Sequence, residues 1–230
     1  VSADALEEGK EYWQTGKDAW TGYSAVSFVI LYNTNVVTYR ELPTGWDSLL
    51  EPRWKGRMAV PDPLKSDMAA SVLTEAAKNS EKEEFLDLLA ENMQYQMPET
   101  FKEVEQGISD GRYSIGVTSE EAAKAMLAAG QDVDYIDPEE GECFFEDGTA
   151  IRKRTPNLDA SEAFVTYTTC DDTKWLLRTQ LLRQPAEDVA AENDRSDEDL
   201  KQRYSRQQEV LNIWKLIMEE KSGSAHEQEQ

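Results

Sequence analysis

The sequence has 230 residues, 39% of them hydrophobic, and a formal net charge of −22 from 46 acidic and 24 basic side chains. This length and apolar content predict a folded protein of one large or two small domains. The acidic excess excludes nucleic acid as a partner and provides no basic patch for an anionic membrane.

Short strands alternate with helices along the chain, judged from the spacing of apolar residues and from turn residues. Residues 22–32 are rich in β-branched and aromatic side chains and predict a buried strand. Further strands are predicted at residues 57–60, 113–117, 133–136 and 149–152. Helices are predicted at residues 68–78, 81–92, 100–108, 122–129, 159–169, 173–182 and 197–220, with a polar loop at 186–197. This alternation predicts an α/β fold with a mixed, mostly parallel sheet flanked by helices, and with further helices at its C-terminal end.

Polar residues follow two of these strands where helices begin, which is where α/β sheets bind ligands. Ser66 and Asp67 open a helix whose free N–H groups favour an anion, although Ser66 also fits a simple helix cap. Thr118, Ser119 and Glu120 combine hydroxyls with a carboxylate, which suits a polyol or a sugar phosphate. A capped helix start explains these three residues equally well.

A third junction, at residues 137–141, carries an acidic loop, which on composition alone is a solvated loop. Adjacent glutamates in one loop do not supply the facing carboxyls that glycoside hydrolysis needs, and no calcium-binding loop is present. The only histidine, His226, lies in a polar tail, outside any catalytic triad. We therefore predict a binding protein with no catalytic residues, no metal site and no cofactor.

Cys143 and Cys170 are the only cysteines, and their spacing is compatible either with one disulfide or with two separate thiols. No apolar run reaches the roughly 18 residues that a membrane span requires. No signal peptide is visible in the sequence.

Three stretches carry a family resemblance. They comprise residues 30–33 with 42–46 and 54–63, residues 116–123 with 130 and 137–141, and residues 147–151 with 157 and 160–169. Their order and spacing resemble the solute-binding proteins of bacterial ATP-driven (ABC) importers, in the branch that binds ferric iron and phosphorylated solutes. The resemblance covers residues 20–182, and residues 204–218 are similar to the family's closing helix.

The resemblance implies the fold of a type 2 periplasmic binding protein, with two lobes joined by crossover strands and a solute between them. It begins near the first crossover, so most of the first lobe is expected to be missing or to lie on a separate chain. The implied divisions are a connecting segment or first-lobe remnant at 1–22, a second lobe at 23–155, a helical segment at 156–221 and a disordered tail at 222–230. Trp20, Tyr23 and Tyr32 would lie around the hinge, packed there or stacked on a sugar. The resemblance also implies that an acidic residue of the 137–141 loop contacts solute hydroxyls, and Glu140 is the candidate, with a solvated loop as the alternative.

The expected function is binding of a small, oxygen-rich, anionic solute (a sugar phosphate, a phosphonate or a ferric complex) for an ABC permease or a sensor kinase. The implied location is extracytoplasmic, in the periplasm or as a cell-surface lipoprotein. One alternative is a sensor or protein-interaction lobe that does not bind solute by itself. Another is a ferric iron carrier, against which the absence of adjacent tyrosines near residue 118 counts.

Overall fold

The computed structural model describes residues 21–141, 143–152, 154–186 and 197–228. The chain divides into two compact units. Unit 1 contains the residues up to Val26 and those of Phe145–Tyr204, and unit 2 contains Ser27–Phe144 and the residues from Ser205 onward.

The described strands are β1 (Thr21–Asn33), β2 (Met58–Ala59), β3 (Ile115–Ser119), β4 (Val133–Ile136), β5 (Cys143–Thr149) and β6 (Gln184–Pro185). The α-helices are α1 (Asp67–Asn79), α2 (Phe85–Asn92), α3 (Phe101–Ser109), α4 (Glu120–Ala128), α5 (Leu158–Thr169), α6 (Asp171–Leu176) and α7 (Asp197–Gln228). Short 3₁₀ turns follow β1, and a π-helical segment, Leu177–Leu181, continues α6.

The sheet of unit 2 has the strand order β2-β3-β1-β4. Strand β2 is parallel to β3, whereas β1 is antiparallel to both β3 and β4. Strands β2, β3 and β4 therefore run in the same direction, and their carboxyl ends lie at one edge of the sheet. The helices that follow β2 and β3 begin at this edge, which is where α/β folds place their ligands.

The core of unit 2 forms where helices pack against this sheet. Val29 and Leu31 of β1 contact Val104 and Ile108 of α3 in one buried cluster, which Ala123 of α4 also joins. Every residue from Ser24 to Asn33 of β1 is buried, a pattern typical of a strand covered on both faces. Helix α7 adds Val210 and Trp214, spaced four residues apart, to the buried residues of unit 2.

Two ion pairs in unit 1 hold the end of β5. Asp147 accepts hydrogen bonds from Ser24 of β1 and from Arg183, and Glu146 pairs with Arg203 of α7 at 3.1 Å. Aspartate and glycine are poor strand formers, so these tertiary contacts account for a strand that includes Asp147 and Gly148.

The structure confirms the α/β class and the mixed sheet with flanking helices. The pairing differs from a mostly parallel sheet, because β1 lies reversed between β3 and β4. The alternation of strands and helices predicts that β2, β3 and β4 run in the same direction, because helical crossovers connect them. It does not predict that β1 lies between β3 and β4.

Several predicted bounds need correction. The strand expected at residues 149–152 is instead β5, Cys143–Thr149. Strand β3 extends through Ser119, because its last residue pairs with Phe28 of β1. The polar tail expected from residue 222 continues α7 to Gln228, since Ala, Glu and Gln propagate an existing helix. The loop predicted at 186–197 lies largely outside the described residues, as does residue 20.

Replacing Gly116 with alanine tests the close packing of β2 and β3. A Cβ at residue 116 would lie 2.6 Å from the backbone oxygen of Ala59 and 2.8 Å from Val104, so the strands would have to separate. We expect Gly116→Ala to lower the free energy of unfolding by about 1–3 kcal/mol, measured by urea denaturation. An unchanged midpoint would show that the strands adjust without cost.

Candidate functional site

The candidate site lies in unit 2, at the edge where β2, β3 and β4 end. Ser66 accepts a hydrogen bond from Ala69 N at 3.3 Å and caps α1, with Asp67 exposed in the first turn. Ser119 accepts a hydrogen bond from Ala122 N at 3.2 Å and caps α4. Both capping interpretations are confirmed, and each leaves further N–H groups of its first helical turn directed out of the helix.

Glu120, the first residue of α4, is the centre of a polar cluster. Its carboxylate pairs with Lys124 at 2.6 Å and accepts a hydrogen bond from Ser27 at 3.2 Å. The phenol of Tyr135, on β4, lies close enough to Glu120 for the carboxylate charge to raise its pKa. These groups come from β1, β4 and α4, and they hold Glu120 in one place at the edge of the sheet.

Asp137 lies close enough to this cluster for the charges of Glu120 and Lys124 to affect its pKa. Burial and then the negative charge of Glu120 raise the pKa of Asp137, and Lys124 partly offsets the increase. The pKa of the Tyr135 phenol is raised by the same two causes in the same order. The Asp137 carboxyl therefore holds its proton to a higher pH than an ordinary surface aspartate does.

A cavity of about 370 Å³ opens beside Asp137. Its lining includes Asp137 and Glu139 from the loop after β4, and Tyr39 and Thr44 from the segment after β1. This volume is within the usual range for small-molecule sites, and the lining mixes carboxylates and a hydroxyl with an exposed aromatic ring. The cavity and the Glu120 cluster share Asp137, so they form one continuous polar region.

Two further predicted site residues, Thr118 and Glu140, are also engaged within the protein. Thr118 is fully buried and donates a hydrogen bond to Glu105 of α3 at 2.6 Å. The two carboxylate oxygens of Glu140 accept hydrogen bonds from Trp46 N and Asp47 N, each at 2.9 Å. In this structure Thr118 and Glu140 therefore position neighbouring loops.

The predicted hinge residues Tyr32 and Tyr23 lie in different units. Tyr32 is buried and its hydroxyl donates to Asp134 at 3.3 Å, while burial and then Asp134 raise the pKa of the phenol. Tyr23 lies in unit 1, where burial and then Asp147 raise the pKa of its phenol. Trp20 lies outside the described residues.

Sequence reasoning did not identify Ser27, Lys124 or Tyr135. Lys124 follows Glu120 by four residues on one helix, a spacing typical of an ion pair, so this partner could have been found. Ser27 and Tyr135 reach Glu120 only through the pairing of β1 with its neighbours, which no local pattern reveals.

Three other findings bear on function. Cys143 and Cys170 are thiols and not halves of a disulfide. Among the described residues, no three His, Cys, Asp or Glu side chains are grouped so that they could hold a metal ion. None of the helices in the described ranges is long and apolar enough to cross a membrane.

Comparison with known proteins gives a family match over most of the chain. The family model for bacterial extracellular solute-binding proteins matches residues 3–208. No curated protein matches the sequence significantly.

Several solved structures share the fold. The ferric binding protein from Campylobacter jejuni is 16% identical, with a TM-score of 0.76 over 94% of this chain and 76% of that one. The periplasmic binding protein AfuA from Actinobacillus pleuropneumoniae, with exogenous fructose-6-phosphate bound, is 14% identical, with a TM-score of 0.74 over 94% and 74%. A two-component system protein that mediates signal transduction is 20% identical, with a TM-score of 0.67 over 87% and 67%.

The contacts of Glu140 predict its effect on stability. Replacing it with glutamine removes the charge and leaves one of the two backbone N–H groups at residues 46–47 facing an amide NH2 instead of an acceptor, so Glu140→Gln should lower the free energy of unfolding by about 1–3 kcal/mol. The adjacent Glu139→Gln is the control and should change it by less than about 0.5 kcal/mol. Equal effects of the two substitutions in chemical denaturation would contradict this role.

Glu105 predicts a pH-dependent stability. Burial raises its pKa above the ordinary value of 4.5, although the hydrogen bond from Thr118 acts in the opposite direction. The folded pKa exceeds the unfolded one, so this carboxyl destabilises the fold increasingly as pH rises through the folded pKa. Glu105→Gln should therefore raise Tm at pH 7. The gain in Tm should shrink below pH 4.5, where the wild-type carboxyl is protonated and therefore as neutral as the glutamine amide. Thermal melts across this range, with Glu139→Gln as reference, would refute the assignment if the gain did not depend on pH.

Proposed function

We propose that this chain, which belongs to the family of bacterial extracellular solute-binding proteins, binds a small, oxygen-rich, anionic solute and delivers it to an ABC permease. Its family consists of binding proteins and not enzymes. The observation that carries the proposal is the edge of unit 2 where three co-directional strands end: two helices begin at this edge, and the Glu120 cluster and a cavity both lie beside Asp137.

The two ends of the solute would be recognised by different groups. An anionic group would accept hydrogen bonds from the first turn of α1, at Ser66 and Asp67, where the helix dipole favours negative charge. Hydroxyl groups would donate to Glu120 and Asp137. Lys124 would offset part of the negative charge that these carboxylates present to an anion.

The candidate residues then divide by role. Ser66, Asp67, Ser119 and Glu120 would face the solute, while Thr118 and Glu140 hold the loops that carry them. A sugar phosphate satisfies both requirements, since it has a phosphate at one end and hydroxyls elsewhere. Two of the similar structures are, by their names, a ferric binding protein and a protein holding fructose-6-phosphate, so ferric complexes are the competing class.

A second candidate function, docking to a partner protein such as a sensor kinase, is favoured by a separate observation in unit 1. Large apolar side chains are at least half exposed there, namely Phe164, Tyr167, Trp175 and Leu181. A surface with several exposed aromatic rings marks an interaction site more often than a solvated face. This role would place the protein in the same extracytoplasmic compartment.

A thermal-shift screen tests the solute proposal. Hexose phosphates, inorganic phosphate, phosphonates and ferric citrate are compared at equal concentration, because a ligand that binds the native state raises Tm. We expect a saturable increase of about 5 °C with a hexose phosphate at a large excess over Kd. No shift with any of these compounds would reject autonomous solute binding and favour the docking role. A shift with ferric citrate alone would make the solute a ferric complex.

Two variants show whether the response comes from the proposed site. Ser66→Asp keeps a good helix cap but adds negative charge, so it should abolish the response to an anion without lowering the starting Tm much. Glu120→Gln should remove the response, whereas Glu91→Gln, which breaks an exposed ion pair between α2 and Lys55, should keep it. A response that survives both site variants would place the solute elsewhere.

A further inference from the structure

A second cavity, of about 320 Å³, opens in unit 2 and shares no lining residue with the cavity beside Asp137. It lies where the C-terminal half of α1 and the start of α2 meet α7. Its apolar lining comprises Phe85 and Leu86 of α2 and Val210 and Ile213 of α7. Phe85, Leu86 and Val210 are at most 8% exposed, so the apolar surface is fixed by the core beneath it. None of these residues belongs to the solute site proposed above.

Charged side chains of both signs share this lining with the apolar residues. Lys82 and Arg206 contribute cations, and Glu81 and Glu83 contribute carboxylates. Within the described part of the chain, none of these four side chains has an ion pair or a side-chain hydrogen bond. Lys78 also lines the cavity, but its ammonium is bound to Glu75 at 3.2 Å.

The charge of the lining is unusual for this molecule. The whole chain has nearly two acidic residues for each basic one, whereas the cavity has three basic and two acidic residues. A ligand with an ammonium and a carboxylate on one carbon could pair with both signs at once, and its apolar side chain could cover Phe85 and Ile213. A cavity of this size is large enough for a single amino acid.

We propose that this cavity is a second binding site, for a free apolar α-amino acid. The carboxylate of the ligand pairs with Arg206 and Lys82, its ammonium pairs with Glu81 and Glu83, and its side chain lies on the apolar lining. The site is independent of the solute at the carboxyl edge of the sheet, because no residue is shared between them.

Calorimetric titration with three related compounds tests this proposal. L-phenylalanine carries both charges, 3-phenylpropionate carries only the carboxylate, and 2-phenylethylamine carries only the ammonium. We expect one molar equivalent of phenylalanine to bind, with each of the other two binding at least about tenfold more weakly. Equal binding of all three compounds, or no binding of phenylalanine at millimolar concentration, would overturn the proposal.

Variants of the full chain locate the site. Arg206→Gln should weaken phenylalanine binding about tenfold, while Arg112→Gln, at a position that does not line the cavity, should change it less than about twofold. Ile213 is 39% exposed, so Ile213→Asp should preserve the fold and abolish binding. Ser66→Asp should leave phenylalanine binding intact, which separates failure of this proposal from failure of the solute proposal. Unchanged affinity in both cavity variants would reject the site.

Discussion

Strand β1 runs against β3 and β4 and satisfies the backbone hydrogen bonds of both neighbours. Because both of its faces are buried, a slip by one residue would exchange the side chains that face α3 and α4 for those that do not. The same register pairs Phe28 with Ser119, which brings Ser27 within hydrogen-bonding distance of Glu120. The position of the central carboxylate of the candidate site therefore depends on the packing of one apolar strand.

The candidate site combines features that oppose one another electrostatically. Glu120 and Asp137 give it negative charge, and the chain as a whole carries a formal charge of −22. An anion that enters must gain more from the helix N-termini and Lys124 than it loses to these carboxylates. A solute with many hydroxyl groups meets this condition best, because the carboxylates then act as hydrogen-bond acceptors. Under the proposed function, this balance would favour a polyol phosphate over bare phosphate.

Local sequence patterns were sufficient for most elements but not for their pairing. Strand β1 and helices α1 and α3 could be predicted from apolar spacing and capping residues, and so could the junctions at Ser66 and Ser119. The insertion of β1 between β3 and β4 depends on contacts distant in sequence, and β5 depends on partners that compensate its acidic residues. For the same reason Glu140 was predicted to contact solute, although its carboxylate in the structure binds two backbone N–H groups about ninety residues earlier in the chain.

Unit 2 is built from two stretches of chain that residues 145–204 separate. Trp214, in the second stretch, has no exposed surface, so part of the unit's interior comes from residues that the ribosome adds after nearly all of unit 1. A nascent chain that ends near residue 144 has the sheet and its helices but lacks this indole. During synthesis, the interior of the unit that carries the candidate site therefore stays incomplete until all of the intervening residues have been translated.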